Sequence, residues 1–299
     1  MGSPEFAVPI LRKLLEKYDV CGVVSQPDKP AGRGKTLTPP PVKLFADSVS
    51  LPIMQPQRLK EPGAFEQLVQ WQPDLIVVAA YGQILRLNVL ELPRFGCINV
   101  HASLLPRWRG ASPIQAAILA GDVTTGVTIM KMEQGLDTGP IYGMRSLPIA
   151  PDDTSGILTN KLSDLGAEVL QDLLPEILTG KTIPSPQDDR KATNCGLIHK
   201  DDAVLDLNEN AEVLNRKVRA YYPWPVARLQ INGIELSVIK AHHEHHAGIN
   251  AGEPYVYQKK PAVGTSSGLL ILDQVQKAGK SVMDGKSFLN GIHNWGKEI

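Results

Sequence analysis

An unbroken apolar run constrains the fold of this chain more than any other stretch. Residues 74–80 read Asp-Leu-Ile-Val-Val-Ala-Ala, so every side chain after the first is apolar. A strand with one wet face alternates apolar and polar residues, whereas a strand covered on both faces is apolar throughout. Helical spacing precedes the run at residues 64–71, and strands and helices alternate along this half of the chain. That alternation predicts an α/β fold with a doubly wound, mostly parallel sheet.

Two polar side chains project from the next predicted strand. Residues 97–110 read Cys-Ile-Asn-Val-His-Ala-Ser-Leu-Leu-Pro-Arg-Trp-Arg-Gly, which begins as a strand and ends as a turn. Because strand side chains alternate, Asn99 and His101 share a face. His101 lies at the carboxyl end of the strand, where doubly wound sheets bind ligands. Gly110 then lets the backbone approach a ligand or another segment closely. By itself, the pair fits a structural hydrogen bond as well as a catalytic site.

A third polar residue, Asp137, lies in a glycine-bracketed loop at residues 134–140. Histidine relays protons near neutral pH, an aspartate can orient the histidine or accept a proton, and an asparagine amide can donate to a developing oxyanion. Together the three residue types suit acyl transfer to a substrate that brings its own amine. The chain contains no Gly-x-Ser-x-Gly nucleophile elbow, which argues against a serine hydrolase.

A long loop at residues 26–41 is rich in proline and glycine and has no apolar face to bury. It carries Lys29, Arg33 and Lys35 beside the single acid Asp28. One interpretation is a flexible, solvated connection. The other is a functional loop, because long loops inside compact domains are often functional and its cations suit a phosphate backbone.

The length of 299 residues predicts two domains. We expect a first domain at 1–183, a linker at 184–204 and a second domain at 205–299, where short strands and the hairpin signal Asn232-Gly233 favour a small barrel. The formal net charge of +0 neither favours nor excludes nucleic acid as a partner. Three widely spaced cysteines, no apolar run near the length of a membrane span and no recognisable leader predict a cytoplasmic protein without a membrane partner.

Several motifs together resemble the folate-dependent formyltransferase family. They are Asn99-x-His101-x-Ser103-Leu104-Leu105-Pro106, Arg109-Gly110 and Leu136-Asp137-Thr138-Gly139. The resemblance implies transfer of the formyl group of 10-formyltetrahydrofolate to an amine, a Rossmann-like first domain and an OB-like second domain. Residues 26–35 and 221–225 are similar to the branch of the family that acts on initiator methionyl-tRNA, so that tRNA is the expected partner of a monomeric enzyme.

The resemblance also implies roles for individual residues. It makes Asn99, His101 and Asp137 the catalytic trio. It places the folate site at Ala80, Tyr81, Ser103, Leu104, Leu105, Pro106, Gly135, Leu136 and Thr138. It places tRNA contacts at Lys29, Arg33, Lys35, Arg216 and Arg219. No metal is expected, because residues 242–246 (His-His-Glu-His-His) fit a polar hairpin tip better than a ligand set. Tyr221, Tyr222 and Trp224 stand near the basic residues, and packing between domains is the simpler interpretation of Trp224.

The first residues depart from the family pattern. A member is expected to begin with an apolar strand before a Gly-Thr-Pro-like turn, whereas Met1-Gly2-Ser3-Pro4 stands within that turn. Loss of a central strand would leave backbone groups unsatisfied at about 1–3 kcal/mol each, against a total stability of about 5–15 kcal/mol. We therefore expect a shortened sequence whose chain is poorly stable or inactive. Two other functions stay open: formyl transfer to another amine such as an amino sugar nucleotide, and folate or RNA binding without turnover.

Overall fold

The computed structural model describes residues 1–31, 34, 36–292 and 295–299. Two of the residues predicted to contact tRNA, Arg33 and Lys35, lie outside these ranges. The described residues form two compact units. Unit 1 comprises Met1–Pro113, Thr124–Pro148 and Thr159–Gly196, and unit 2 comprises Ile114–Val123, Ile149–Leu158 and Leu197–Ile299. The domain boundaries at 183 and 204 stay a prediction.

Helices and strands alternate up to residue 196, as the apolar runs predict. The elements are α1 (Ala7–Leu15), β1 (Val23–Val24), β2 (Lys29–Ala31), β3 (Thr36–Thr38), α2 (Pro41–Ser48), β4 (Ile53–Met54), α3 (Ala64–Trp71), β5 (Ile76–Val78), α4 (Leu87–Leu90), β6 (Cys97–His101), β7 (Arg109–Gly110), α5 (Pro113–Ala120), β8 (Thr124–Lys131), β9 (Ile141–Pro148), α6 (Ser155–Leu178) and β10 (Asn194–Cys195). The predicted α/β class is confirmed.

The main sheet of unit 1 has the order β5-β6-β8-β9. Strands β5 and β6 are parallel, as are β1 and β4 in a separate pair. Strands β8 and β9 are antiparallel to their neighbours, so this sheet is mixed and the expectation of a mostly parallel sheet does not hold for it. For the pair β8 and β9 the physical reason is that the loop at 132–140 joins them without a helix, and a loop connection suits antiparallel neighbours.

Strands β1 and β5 are linked through the first two residues of the chain. The Met1 amine donates to the Val77 carbonyl oxygen at 2.7 Å, and the Gly2 N–H donates to the Val24 carbonyl oxygen at 3.0 Å. Beside this link lies a cavity of about 310 Å³ lined mainly by apolar side chains, among them Ile10, Leu11, Val23, Ile76 and Leu174. The low stability expected for this region stays a prediction.

The chain beyond residue 196 is mainly strand. Its elements are α7 (Ala211–Ala220), β11 (Ala227–Ile231), β12 (Ile234–Glu244), β13 (Pro254–Tyr257), β14 (Lys260–Gly264), β15 (Leu269–Lys277), β16 (Met283–Asp284), α8 (Gly285–Asn290) and β17 (Lys297–Glu298). The sheet order is β11-β12-β15-β14-β13-β17, with β16 paired to β15. Its core includes Leu214, Leu236, Leu272 and Phe288. Across the described helices of both units, we find none long and apolar enough to cross a membrane.

Candidate active site

Strand β6 carries two of the three predicted catalytic side chains. Ile98 and Val100 are buried in unit 1 and fix the strand, so the alternating residues Asn99 and His101 turn to the opposite face. His101 is itself buried, with 5% of its surface exposed, and Asn99 is half-buried. Burial matters here because electrostatic interactions are stronger away from water.

The third side chain, Asp137, reaches the same place from the loop between β8 and β9. Its Oδ1 accepts a hydrogen bond from Asn99 Nδ2 at 3.3 Å, and its Oδ2 accepts one from the Gly110 N–H at 2.9 Å. Oδ2 also lies 3.7 Å from His101 Nδ1. The backbone of Asp137 has φ +51°, a left-handed conformation that aspartate tolerates better than most residues. The structure therefore brings Asn99, His101 and Asp137 together.

The carbonyl oxygen of Trp108 fixes the orientation of His101. It lies 2.9 Å from His101 Nε2. A carbonyl oxygen can only accept, so Nε2 carries the proton and donates. Nδ1 is then the nitrogen left to exchange a proton, and it faces the Asp137 carboxylate. The distance of 3.7 Å exceeds that of a hydrogen bond.

Hydrogen bonds hold the turn after β6 in one shape. The Thr128 hydroxyl donates to the Ser103 carbonyl oxygen at 2.7 Å and accepts from the Leu105 N–H at 3.1 Å. Ser103 Oγ donates to the Arg107 carbonyl oxygen at 2.6 Å. Ser103 and Leu105 are buried, whereas Leu104 and Pro106 are half-buried. Of these predicted folate residues, only Leu104 and Pro106 thus keep substantial exposed surface.

The remaining predicted folate residues divide by exposure. Ala80, Gly135, Leu136 and Thr138 are exposed, and Leu136 keeps 67% of its surface accessible beside Asp137. The Tyr81 ring instead packs in the apolar core of unit 1, where burial raises its pKa to about 12. Within the described residues its hydroxyl has no hydrogen-bond partner. Tyr81 as a whole is only 2% exposed, and its carbonyl oxygen accepts from Gln26 Nε2 at 3.0 Å.

A segment that we interpreted as linker contributes to the site. Strand β10 pairs in parallel with β7, and Thr193 accepts from the Trp108 N–H through its hydroxyl and from the Arg109 N–H through its carbonyl. A Cβ on Gly110, where φ is +119°, would collide with the Cys195 carbonyl oxygen. The glycine thus signalled a close approach, but nothing in the spacing identified Cys195 as the partner.

Gln187 and Asp189 in the same segment were also missed. Both accept hydrogen bonds from the buried Arg109 guanidinium. The segment has little apolar content and no periodicity, so no sequence pattern indicated that it folds against the motif residues.

The predicted tRNA residues lie in separate places. Lys29 is exposed on β2, next to Asp28, whose carboxylate accepts from Gln55 and Lys43; these hydrogen bonds lower the pKa of Asp28. In unit 2, Arg216 and Arg219 are half-buried on α7. Arg216 Nη1 donates to Glu212, and Arg219 Nη1 donates to the Asp153 carbonyl oxygen. Neither Nε has an acceptor among the described residues.

Strand β12 includes the first part of the histidine run at residues 242–246, because His242, His243 and Glu244 pair with β15. The run is therefore partly strand and not only a hairpin tip. His242 Nδ1 lies 2.7 Å from Asp273 Oδ2, and Lys260 donates to the other oxygen. The described residues contain no cluster of three histidine, cysteine or acidic side chains suited to a metal. Trp224 is 53% exposed.

Sequence comparison gives matches along both units. A family described as formyl transferase matches residues 2–174, and its C-terminal domain matches residues 197–293. A methionyl-tRNA formyltransferase of Methylococcus capsulatus is 46% identical over 300 residues, covering 100% of this chain and 97% of the relative. Another, of Halorhodospira halophila, is 48% identical over 296 residues, covering 97% of this chain and 94% of the relative.

Solved structures share the fold at low identity. The sugar 3N-formyl transferase WlaRD, solved with dTDP and 5-N-formyl-THF, has a TM-score of 0.67 at 19% identity and covers 94% of this chain and 97% of its own. A methionyl-tRNA formyltransferase of Clostridium thermocellum has a TM-score of 0.52 at 21% identity, covering 68% of this chain and 87% of its own.

Proposed function

The chain belongs to the formyl transferase family, and we propose that it transfers the formyl group of 10-formyltetrahydrofolate to the α-amine of initiator methionyl-tRNA. The observation that carries this function is identity of 46% and 48% to methionyl-tRNA formyltransferases along almost the whole chain. The convergence of Asn99, His101 and Asp137 supports it. Transfer to an amino sugar and binding without turnover are not favoured, because the structure that suggests a sugar substrate is only 19% identical.

Each catalytic side chain suits one part of acyl transfer to an amine. The folate co-substrate supplies a formyl carbon that an amine can attack. Asn99 has two amide hydrogens, of which Asp137 takes one, so the second is available to a developing oxyanion. His101 holds a proton at Nε2 and exchanges another at Nδ1, so it can return the proton lost by the amine to the folate nitrogen as the bond between that nitrogen and the formyl carbon breaks. The Asp137 carboxylate stabilises the charged imidazole and helps to accept the proton that leaves the amine.

The surface beside Asp137 fits a folate. Leu136 exposes a large apolar side chain next to a carboxylate, and an isolated apolar group in a polar loop suits contact with a flat ring. We assign the exposed residues Ala80, Gly135, Leu136 and Thr138, together with Leu104 and Pro106, to this contact, and the buried Ser103, Leu105 and Tyr81 to its support.

The cations of residues 29–35 and of α7 are assigned to tRNA phosphates. Arg216 and Arg219 each have a buried Nε that no described residue satisfies, and burial together with the neighbouring Arg216 lowers the pKa of Arg219. Both side chains are only half-buried, and a phosphate would suit their exposed part, because guanidinium binds phosphate through paired N–H donors. We assign the second domain to an OB-like fold, which its antiparallel sheet supports.

Single-turnover formylation tests the proposed function. Charged initiator tRNA and 10-formyltetrahydrofolate are expected to give formylmethionyl-tRNA, whereas a dTDP-amino sugar in place of the tRNA gives no product. Product from the sugar alone, or folate binding without product from either acceptor, would establish one of the alternatives.

Neutralising the basic loop tests how tRNA is held. Changing Lys29, Arg33 and Lys35 to glutamine should raise the KM for tRNA about tenfold and lower the salt slope of binding by about 2, while the KM for the folate is unchanged. The matched control removes as many charges at Lys13, Lys17 and Lys181. Equal effects of the two triple variants would show that total charge, not this loop, holds the tRNA.

A further inference from the structure

Gln187 joins the loop of the catalytic aspartate to a buried arginine. Its Nε2 donates to the carbonyl oxygens of Asp137 and Gly139 at 2.8 and 2.7 Å. Its Oε1 accepts from Arg109 Nε at 3.0 Å and from Nη2 at 2.8 Å. Arginine only donates and carbonyls only accept, so both ends of this carboxamide are fixed in orientation.

The loop has few other supports at this point. Gly135, Leu136 and Thr138 around Asp137 are exposed, and Asp137 itself has a left-handed backbone conformation. Exposed loops with such conformations keep one shape only when neighbouring groups impose it. Gln187 does so from outside the loop, through the backbone of the residue whose carboxylate faces His101.

The contacts close a ring. The Arg109 side chain reaches Gln187, and Gln187 reaches the Asp137 backbone. The Asp137 carboxylate accepts from the N–H of Gly110, which is the residue after Arg109. Arg109 is itself held by Asp189, at 2.7 Å from its Nη2. Displacing any member therefore moves the Asp137 carboxylate relative to His101.

We propose that Gln187 is a positioning residue for the formyl transfer reaction, acting through Asp137. It touches neither substrate nor reacting atoms, but it holds the carboxylate where the catalytic histidine needs it. The proposal rests on the proposed function for its kinetic consequences, whereas its structural consequence, the fixed hydrogen bond between Gly110 and Asp137, is independent of any activity.

Three variants separate positioning from general support of the fold. Gln187→Glu keeps an acceptor for Arg109 but sets a carboxylate oxygen against two carbonyl oxygens. Gln187→Ala removes both ends. Gln171→Ala is the matched control, because its carboxamide donates to Glu16 elsewhere in unit 1. We expect kcat to fall about ten- to a hundredfold in both Gln187 variants, because a displacement near 1 Å can cost that much. The KM for methionyl-tRNA should stay close to that of the unchanged protein in both Gln187 variants.

A double-mutant cycle and amide exchange decide the outcome. In an Asp137→Asn background, Gln187→Ala should lower kcat less than about twofold, since its effect passes through Asp137. Hydrogen exchange at the Gly110 amide should quicken at least about tenfold in Gln187→Ala and not in Gln171→Ala. The proposal would be overturned if the loss of kcat in the double variant equalled the product of the losses in the two single variants. Unchanged hydrogen exchange at the Gly110 amide in Gln187→Ala would also overturn it. If the unchanged protein does not formylate methionyl-tRNA, the proposed function fails. The hydrogen-exchange result then still decides whether Gln187 positions Asp137.

Discussion

Asp137→Asn tests the electrostatic part of the mechanism. The substitution keeps the shape of the side chain but removes its charge, 3.7 Å from His101 Nδ1. Both side chains are largely buried, with 14% of Asp137 and 6% of His101 exposed, so solvent screens the pair weakly. At an effective dielectric constant near 20, a carboxylate at this distance stabilises an imidazolium by about 4 kcal/mol. Since 1.36 kcal/mol is a factor of ten in rate, formyl transfer should slow by about a thousandfold.

Single-turnover formylation with saturating folate measures this loss without product release. The matched control is Asp172→Asn, which removes an exposed carboxylate that pairs with Arg145 on the same unit. We expect the control to react at the normal rate, because exposed ion pairs contribute little. A folded Asp137→Asn protein that reacts within tenfold of the unchanged protein would refute the assignment of Asp137 and the dielectric estimate together.

Two further predictions concern the packing of unit 1. Joining an apolar strand of about five residues ahead of Met1 should fill the 310 Å³ cavity and raise the stability of unit 1, because it buries apolar surface. In thermal melts, the protein with the apolar extension should have a higher Tm than a protein with a glycine-serine extension of equal length. Equal Tm values would mean that the cavity does not accept a strand. Gly110→Ala should cost about 1–3 kcal/mol and slow formylation, because its Cβ meets the Cys195 carbonyl oxygen. Urea unfolding measures the loss, and Gly180→Ala is the control, because Gly180 has a positive φ but open space around it. Equal losses of stability in the two variants would contradict a collision at Gly110.

Local patterns predicted much of the fold because they report directly on packing. Strand β6 lies where the alternation of side chains at residues 97–101 places it. The direction of the strands was harder to predict from the sequence. The antiparallel course of β8 depends on which neighbour buries it, and a strand covered on both faces looks alike in either direction.

The site was predictable in its side chains but not in its supports. Asn99, His101 and Asp137 were identified through the family motifs that contain them, and the structure brings them together. Gln187 and Thr193 were missed because their contribution is made mainly through backbone partners. Hydrogen bonds to backbone atoms leave no pattern of residue types, so only the folded chain shows them.

The turn after β6 explains why motif residues without catalytic chemistry accompany His101. The Trp108 carbonyl accepts from His101, and two residues later the Gly110 N–H donates to Asp137. One short backbone segment therefore sets both the tautomer of the histidine and the position of the carboxylate. The Thr128, Ser103 and Thr193 hydroxyls fix that segment from three sides. A change that alters its backbone conformation should impair the proposed proton transfer even when Asn99, His101 and Asp137 are intact, because the geometry of these side chains is imposed by peptide groups.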